Sequence, residues 1–274
     1  MAQGAVILFW FTIVAYVAAT VLYAYFFLSK RAAFSWYATF LTGAGFLCHT
    51  ASIGMRSTAQ HGTRLDGPNT LILFAWALVM LYFVMEHLIK VKVYGTLLVP
   101  VSVVLMTLSQ LIAGSGAATS PLIENWKIGI HVALIAFANA GFLIAAVAAM
   151  TYLVQEGQLK RHKTNVVFKR LPSLSKIDAL ARRAVAFGYP AYTGGLLLGV
   201  LRAIETDPPG WWADPRVVLA GIAWAIFGAF LALQYTQRAS SRTTAWIAIA
   251  GTIVVLSLAV VARTVPAGFH IFGV

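Results

Sequence analysis

Charge is scarce in this 274-residue chain, and acidic charge is scarcest: charged residues make up 10%, with eight Asp and Glu against 20 Lys and Arg. Soluble domains carry roughly 25% charged and 45–50% apolar residues. A hydrophobic content of 60% and a mean hydropathy of +0.83 therefore exclude an ordinary soluble domain. Cysteine is nearly absent as well, Cys48 being the only one. That excludes an internal disulfide, a CxxC redox pair and a CxxCH attachment site, so the chain is not itself a c-type cytochrome. Period-2 alternation is missing, which excludes a transmembrane barrel. Acidic residues are few inside the apolar runs and no pair of broken helices stands out, which gives a transporter little support.

What is present is a series of apolar runs, each long enough for the roughly 20 residues that a helix needs to cross the hydrocarbon. They fall at about 5–28, 35–55, 69–89, 93–113, 128–153, 184–204, 216–236 and 243–265. The expected fold is all-α: a polytopic membrane helical bundle of about eight transmembrane helices, one domain over 1–274. The first run starts almost at Met1 with no basic leader and no small-residue cleavage site, and so reads as a retained helix. Eight of the 20 Lys and Arg lie in the connection at about 155–183, and others stand at Lys30, Arg31, Lys90, Lys92, Arg238 and Arg242. These are alternate connections, and positive residues stay cytoplasmic. The expectation is an N-terminus and a C-terminus on the non-cytoplasmic side. The net charge of +12 is thus explained by topology and attraction to anionic membrane lipid, without nucleic acid.

That topology brings several residues to the outer face. "GWWADPRVVLAGIAW" (210–224) opens with Trp211 and Trp212 in a tryptophan-rich outer loop at about 205–215, next to the turn cluster Asp207-Pro208-Pro209-Gly210. The tryptophans suit an aromatic belt at headgroup level or the wall of a ligand site. His131, a few residues into the fifth span, and His270, after the eighth, reach the same level. Each is either a packed histidine or a ligand, and an iron porphyrin held between two imidazoles takes one from each side. Arg56, Arg64, Arg202 and Arg216 fall at outer ends against the positive-inside trend. They either snorkel to headgroups or pair with carboxylates such as haem propionates. His49, inside the second span, is either hydrogen-bonded to a neighbouring helix or a ligand on a path through the membrane.

From about residue 35 onward the chain resembles the cytochrome c assembly family, the haem-handling membrane proteins of system II cytochrome c synthesis (CcsA- or ResC-type) and their HemX-like relatives. The likeness rests on "CHTASIGMRSTAQHG", "WKIGIHVALIAFANAGFLIAAVAAMTYLVQEGQLK", "LPSLSKIDALARRAVAFGYPAYTGGLLLGVLRA", "WWADPR" with "AWAIFGAFLAL", and "PAGFHIFGV", in that order. In the family a tryptophan-rich loop with a W-x-W-D-P-K-E core lies against haem on the outer face. Trp211, Trp212, Asp214 and Pro215 match that core, with Arg216 in the lysine's place and Val217 where the glutamate stands. The resemblance implies haem b, non-covalent, ligated by His131 and His270, with His49 as an intramembrane ligand whose second partner comes from elsewhere. Arg56, Arg202 and Arg216 would offset the propionates.

The resemblance further implies a bacterial inner (plasma) membrane protein, a CcsB- or ResB-type membrane partner, a thiol reductant, apocytochrome c as acceptor, and membership of a cytochrome c synthase (haem lyase) complex. The outer loop after His49 keeps "QHG" but continues "TRLDGPNTL" where the family has P-x-S-N-x-Y-E. The departures leave a second reading: a HemX-like structural, regulatory or electron-transfer subunit, with or without haem.

Overall fold

The helices follow the apolar runs. In the computed structural model, which describes residues 2–29, 31–59, 62, 67–90, 92–114, 126–162 and 171–264, the elements are α1 (Ala2–Ser29), α2 (Ala32–Ala59), α3 (Gly67–Ile89), α4 (Gly95–Gly114), α5 (Trp126–Lys160), α6 (Leu174–Thr206), α7 (Pro215–Tyr235) and α8 (Ser241–Thr264). Two single 3-10 turns, Lys92–Tyr94 and Trp211–Ala213, precede α4 and α7. Among the described residues there is no strand. Seven of the eight helices are long and apolar enough to span a membrane by length and composition alone. The eighth, α2, has the length but carries Thr39, Thr42, His49, Thr50 and Ser52 along its course.

Two four-helix units result, one of α1–α4 and one of α5–α8. The first has a polar seam inside an apolar shell. Tyr16, Tyr23, Tyr82 and Tyr94 are fully buried, and their hydroxyls need partners where water is excluded. Tyr23 and Tyr82 hydroxyls meet at 2.9 Å. Ser52 on α2 donates to the Ala5 carbonyl of α1 at 2.8 Å, and the Trp76 indole N–H of α3 donates to Thr50 Oγ1 at 2.9 Å. Space for the tyrosines comes from glycine: a Cβ on Gly95 would stand 2.4 Å from Tyr23 Cζ, which is why α4 can lie against α1 there.

The second unit is built on small residues. The facing sides of α5 and α6 are Ala138, Ala145, Ala148 and Ala149 against Ala181, Ala184 and Gly188, all buried. A Cβ on Gly188 would meet the Ala138 carbonyl at 3.0 Å, so these backbones nearly touch. In lipid, where apolar area alone drives nothing, such close contact supplies the attraction. Phe142 fills the centre, stacked on Phe227 at 3.6 Å between ring centroids and edge-on to Tyr192 at 5.3 Å. Thr252 of α8 donates to the Phe142 carbonyl at 3.1 Å.

One boundary differs from expectation. The basic connection at about 155–183 is much shorter, because α5 continues to Lys160 and α6 starts at Leu174. A 35-residue helix reaches about 50 Å, well past a hydrocarbon core of about 30 Å. Its extension is held by Glu156 with Lys160 at 2.7 Å and Gln155 Nε2 to the Pro172 carbonyl at 3.1 Å, and the early start of α6 by Gln234 Nε2 of α7 to Asp178 at 3.1 Å, none of which hydropathy registers.

Replacing Gly95 by alanine forces Tyr23 to move within a filled interior. The expected cost is about 1–3 kcal/mol, read as a lower unfolding midpoint of the detergent-solubilised protein, with Gly54→Ala, which meets nothing within 4 Å, as the neutral control.

Candidate haem-ligand site at the tryptophan end of the second unit

The α5 start, the α6 end and the α7 start form one end of the second unit. His131 lies there, half-buried on the second turn of α5. Its Nδ1 is 2.7 Å from the Gly195 carbonyl of α6. A carbonyl only accepts, so Nδ1–H is the donor and the ring is the tautomer whose Nε2 keeps its lone pair. The imidazole packs close to α6 because residue 199 is glycine: a Cβ there would meet His131 Cε1 at 3.0 Å and Nδ1 at 3.2 Å. A histidine whose other ring N–H is tied to a backbone carbonyl is the usual arrangement of a metal ligand. In that tautomer His131 would have Nε2 for a metal such as a haem iron.

Charged residues surround this end. Glu205 on the last turn of α6 pairs with Lys127 at the start of α5 and, at 3.5 Å, with Arg202 one turn back. Lys127 and Glu205 stand on opposite ends of consecutive antiparallel helices, which is the signal in the chain for a pair that the sequence analysis missed. Arg202, expected to face an anionic ligand, thus already has a carboxylate beside it.

The tryptophan loop is brief. Asp207 ends α6 in the left-handed region (φ 40°), its N–H donating to Ala203 O. Gly210 follows at φ 71°, a value that favours glycine. Trp211 and Trp212 then form the 3-10 turn; Trp211 is half-buried and Trp212 is 71% exposed. Asp214 is buried and caps α7: its Oδ1 accepts the Arg216 backbone N–H at 2.8 Å, with Pro215 at the first helical position. The Asp-Pro-Arg string therefore has a backbone task of its own, since Asp is a favoured N-cap and proline loses nothing at N1. Arg216 is half-buried beside it.

The remaining expected residues lie elsewhere. Arg56 is engaged within the first unit, donating to Asn69 Oδ1 at 3.2 Å and lying 5.7 Å from the Phe9 ring centroid, a cation–π contact. His49 is also in the first unit and is fully enclosed, at 0% exposure. Its Nδ1 is 3.4 Å from the Tyr16 hydroxyl, and its Nε2 is buried without a well-formed hydrogen bond, near the Ile72 backbone. The ring is enclosed by protein on every side, whereas that of His131 is half-buried. His270, His61 and Arg64 lie outside the described residues. Among the described residues no group of three or more His, Cys, Asp or Glu could hold a metal ion.

These features define a polytopic all-α membrane protein with a ligand-ready histidine beside a short tryptophan loop. The chain belongs to the family described as Cytochrome C assembly protein, whose profile matches residues 66–270. It is 27% identical over 271 residues to cytochrome c biogenesis protein CcsA of Chlorella vulgaris, covering 86% of each chain. It is 25% identical over 224 residues to CcsA of Guillardia theta, covering 74% of each, and 24% identical over 170 residues to protein HemX of Brevibacillus brevis, covering 62% of each.

Changing Asp214 to alanine removes the α7 cap and is expected to cost about 1 kcal/mol, whereas Asp214→Asn keeps most of it. Thermal unfolding compared across the two variants checks this; equal losses would mean that the cap hydrogen bond is not what Asp214 contributes.

Proposed function

We propose that this chain serves cytochrome c biogenesis by holding haem b at the outer face of a bacterial plasma membrane and presenting it for attachment to apocytochrome c. The observation that carries this is the His131 imidazole, tied through Nδ1–H to Gly195, cradled by Gly199 and left with a free Nε2 lone pair. His270 would hold the iron together with His131. When bound, haem supplies the macrocycle that thioether formation attaches and an iron that must be reduced for it. The chain supplies neither thiol pair nor reductant, so a CcsB- or ResB-type membrane partner and a thiol reductant complete the system.

The residues have separable tasks. Gly195 holds the ring in one tautomer. The indoles of Trp211 and Trp212 offer apolar stacking surface. Arg202 and Arg216 offset propionate charge, with Arg202 exchanging its Glu205 partner for a propionate. A ligand held by exchange of ion pairs can also be released by it, which suits a carrier. Since no other histidine lies mid-span, a second ligand to haem at His49 would come from a neighbouring subunit, and the isolated chain binds one haem.

The optical spectrum tests this. His131→Ala with His270→Ala is expected to abolish the bis-histidine haem spectrum; an unchanged spectrum ends the assignment. Gly199→Val, which crowds the ring without removing it, is expected to weaken haem binding about tenfold, as loss of a ligand's supporting shell commonly does. Pyridine haemochrome quantification is expected to give one haem per chain, and two would restore His49 as a ligand.

Topology is tested separately. In a Cys48→Ser background, a cysteine at position 212 is expected to react with an impermeant thiol reagent in intact cells, and one at position 238 only after lysis. The converse pattern would reverse the proposed orientation.

A second reading is a haem-free, HemX-like regulatory subunit. It is favoured by the Arg202–Glu205 pair, which leaves that end electrically satisfied without a ligand. A colourless purified protein would select it.

A further inference from the structure

The first unit holds a cavity that haem handling at His131 does not use. It has a volume of about 440 Å³ and is lined by Thr39, Phe83, Glu86, His87, Lys90 and Lys92, which is within the roughly 300–1,000 Å³ typical of small-molecule sites. Glu86 is its buried member, 8% exposed. Glu86 Oε1 accepts from Thr39 Oγ1 at 3.4 Å, while Oε2 is buried without a hydrogen bond. Thr39 in turn meets the Tyr23 hydroxyl at 3.1 Å, and Tyr23 meets Tyr82 at 2.9 Å. The Tyr82 hydroxyl also borders Glu86 but is engaged with Tyr23, and Oε2 is left without a well-formed hydrogen bond. A bare carboxylate oxygen away from water is costly, and it calls for a donor, best a charged one.

Two lysines share the wall. Lys90 closes α3 with its N–H on the Glu86 carbonyl at 2.8 Å, in the left-handed region at φ 60° where glycine is usual. Among the described residues neither Lys90 nor Lys92 forms an ion pair with Glu86. The depth is also defined. The cavity lies where the apolar course of α3 ends, and the same turns of α2 that carry Thr39 expose Trp36, Tyr37 and Phe40, aromatics of the kind that sit at headgroup level.

A site with a buried anion inside and cations at its wall, at headgroup depth, matches a zwitterion. We propose that this cavity binds the headgroup of an amine-bearing phospholipid, the primary ammonium donating to Glu86 Oε2 and the phosphate meeting Lys90 and Lys92. An anionic headgroup such as phosphatidylglycerol would satisfy the lysines but bring Glu86 only neutral hydroxyl donors, about half as strong as an ammonium. A trimethylammonium headgroup brings the positive charge but no N–H to donate. The inference does not depend on haem binding.

The full chain, purified in detergent and exchanged into nanodiscs holding equal amounts of phosphatidylethanolamine, phosphatidylcholine and phosphatidylglycerol with the same acyl chains, is then read by native mass spectrometry for retained lipid. The expected result is one phosphatidylethanolamine kept about tenfold over phosphatidylcholine, the worth of one charge-assisted hydrogen bond. Stepwise N-methylation of the ethanolamine lipid is expected to erode that preference and trimethylation to abolish it. Glu86→Gln is expected to abolish it in the folded protein; should that variant not fold, the methylation series on the unaltered chain decides alone. Equal retention of the ethanolamine and choline lipids, a preference for phosphatidylglycerol, or a preference that survives Glu86→Gln would overturn the proposal. Calorimetric binding of soluble phosphoethanolamine with no lipid preference would overturn the membrane source.

Discussion

Everything at the His131 end depends on how closely two helices can approach. The α5–α6 seam is made of alanine and glycine, and a Cβ on Gly188 would already press on the Ala138 carbonyl. Only at such a separation can a short imidazole on α5 reach a backbone carbonyl of α6, as His131 does at Gly195. That one hydrogen bond sets the tautomer, the ring plane and the nitrogen left for a ligand. In hydrocarbon the same small-residue contact is also what holds the helices together. Packing of the unit and orientation of the His131 ring are therefore a single interaction.

The first unit solves a different problem. Its interior is rich in tyrosine, serine and threonine, and each hydroxyl removed from water has to be met. Side chain to carbonyl bonds such as Ser52 to Ala5 and side chain pairs such as Tyr23 to Tyr82 meet them. His49 takes part in this economy, enclosed beside Tyr16. An imidazole placed mid-membrane by sequence looks alike whether it waits for iron or packs against a phenol. In that enclosure His49 Nε2 lies without a well-formed hydrogen bond.

Much of the architecture was legible in the chain because hydropathy and length constrain a membrane helix so strongly. Eight apolar runs became eight helices, and the tryptophan loop fell at 207–214 between α6 and α7. The basic connection was the exception. Its residues are polar, so hydropathy ended the spans at about 153 and 184, whereas Glu156, Lys160 and Asp178 continue both helices through ion pairs and amide bonds. Asp214 illustrates a subtler gap: its match to a family motif was visible, but its work as the α7 cap was written in the same three letters, Asp-Pro-Arg, and went unread.

By itself the sequence determined the class of protein, the number and order of its helices, and membership of the cytochrome c assembly family, because composition, span length and motif order are local properties. Tertiary structure decided that Gly195 holds His131 Nδ1, that Arg202 shares Glu205 with Lys127, and that Glu86 Oε2 has no well-formed hydrogen bond. Those are questions of which atoms from distant segments come within about 3 Å of one another. Such distances are set by the packing of whole helices, and no single run of residues contains them.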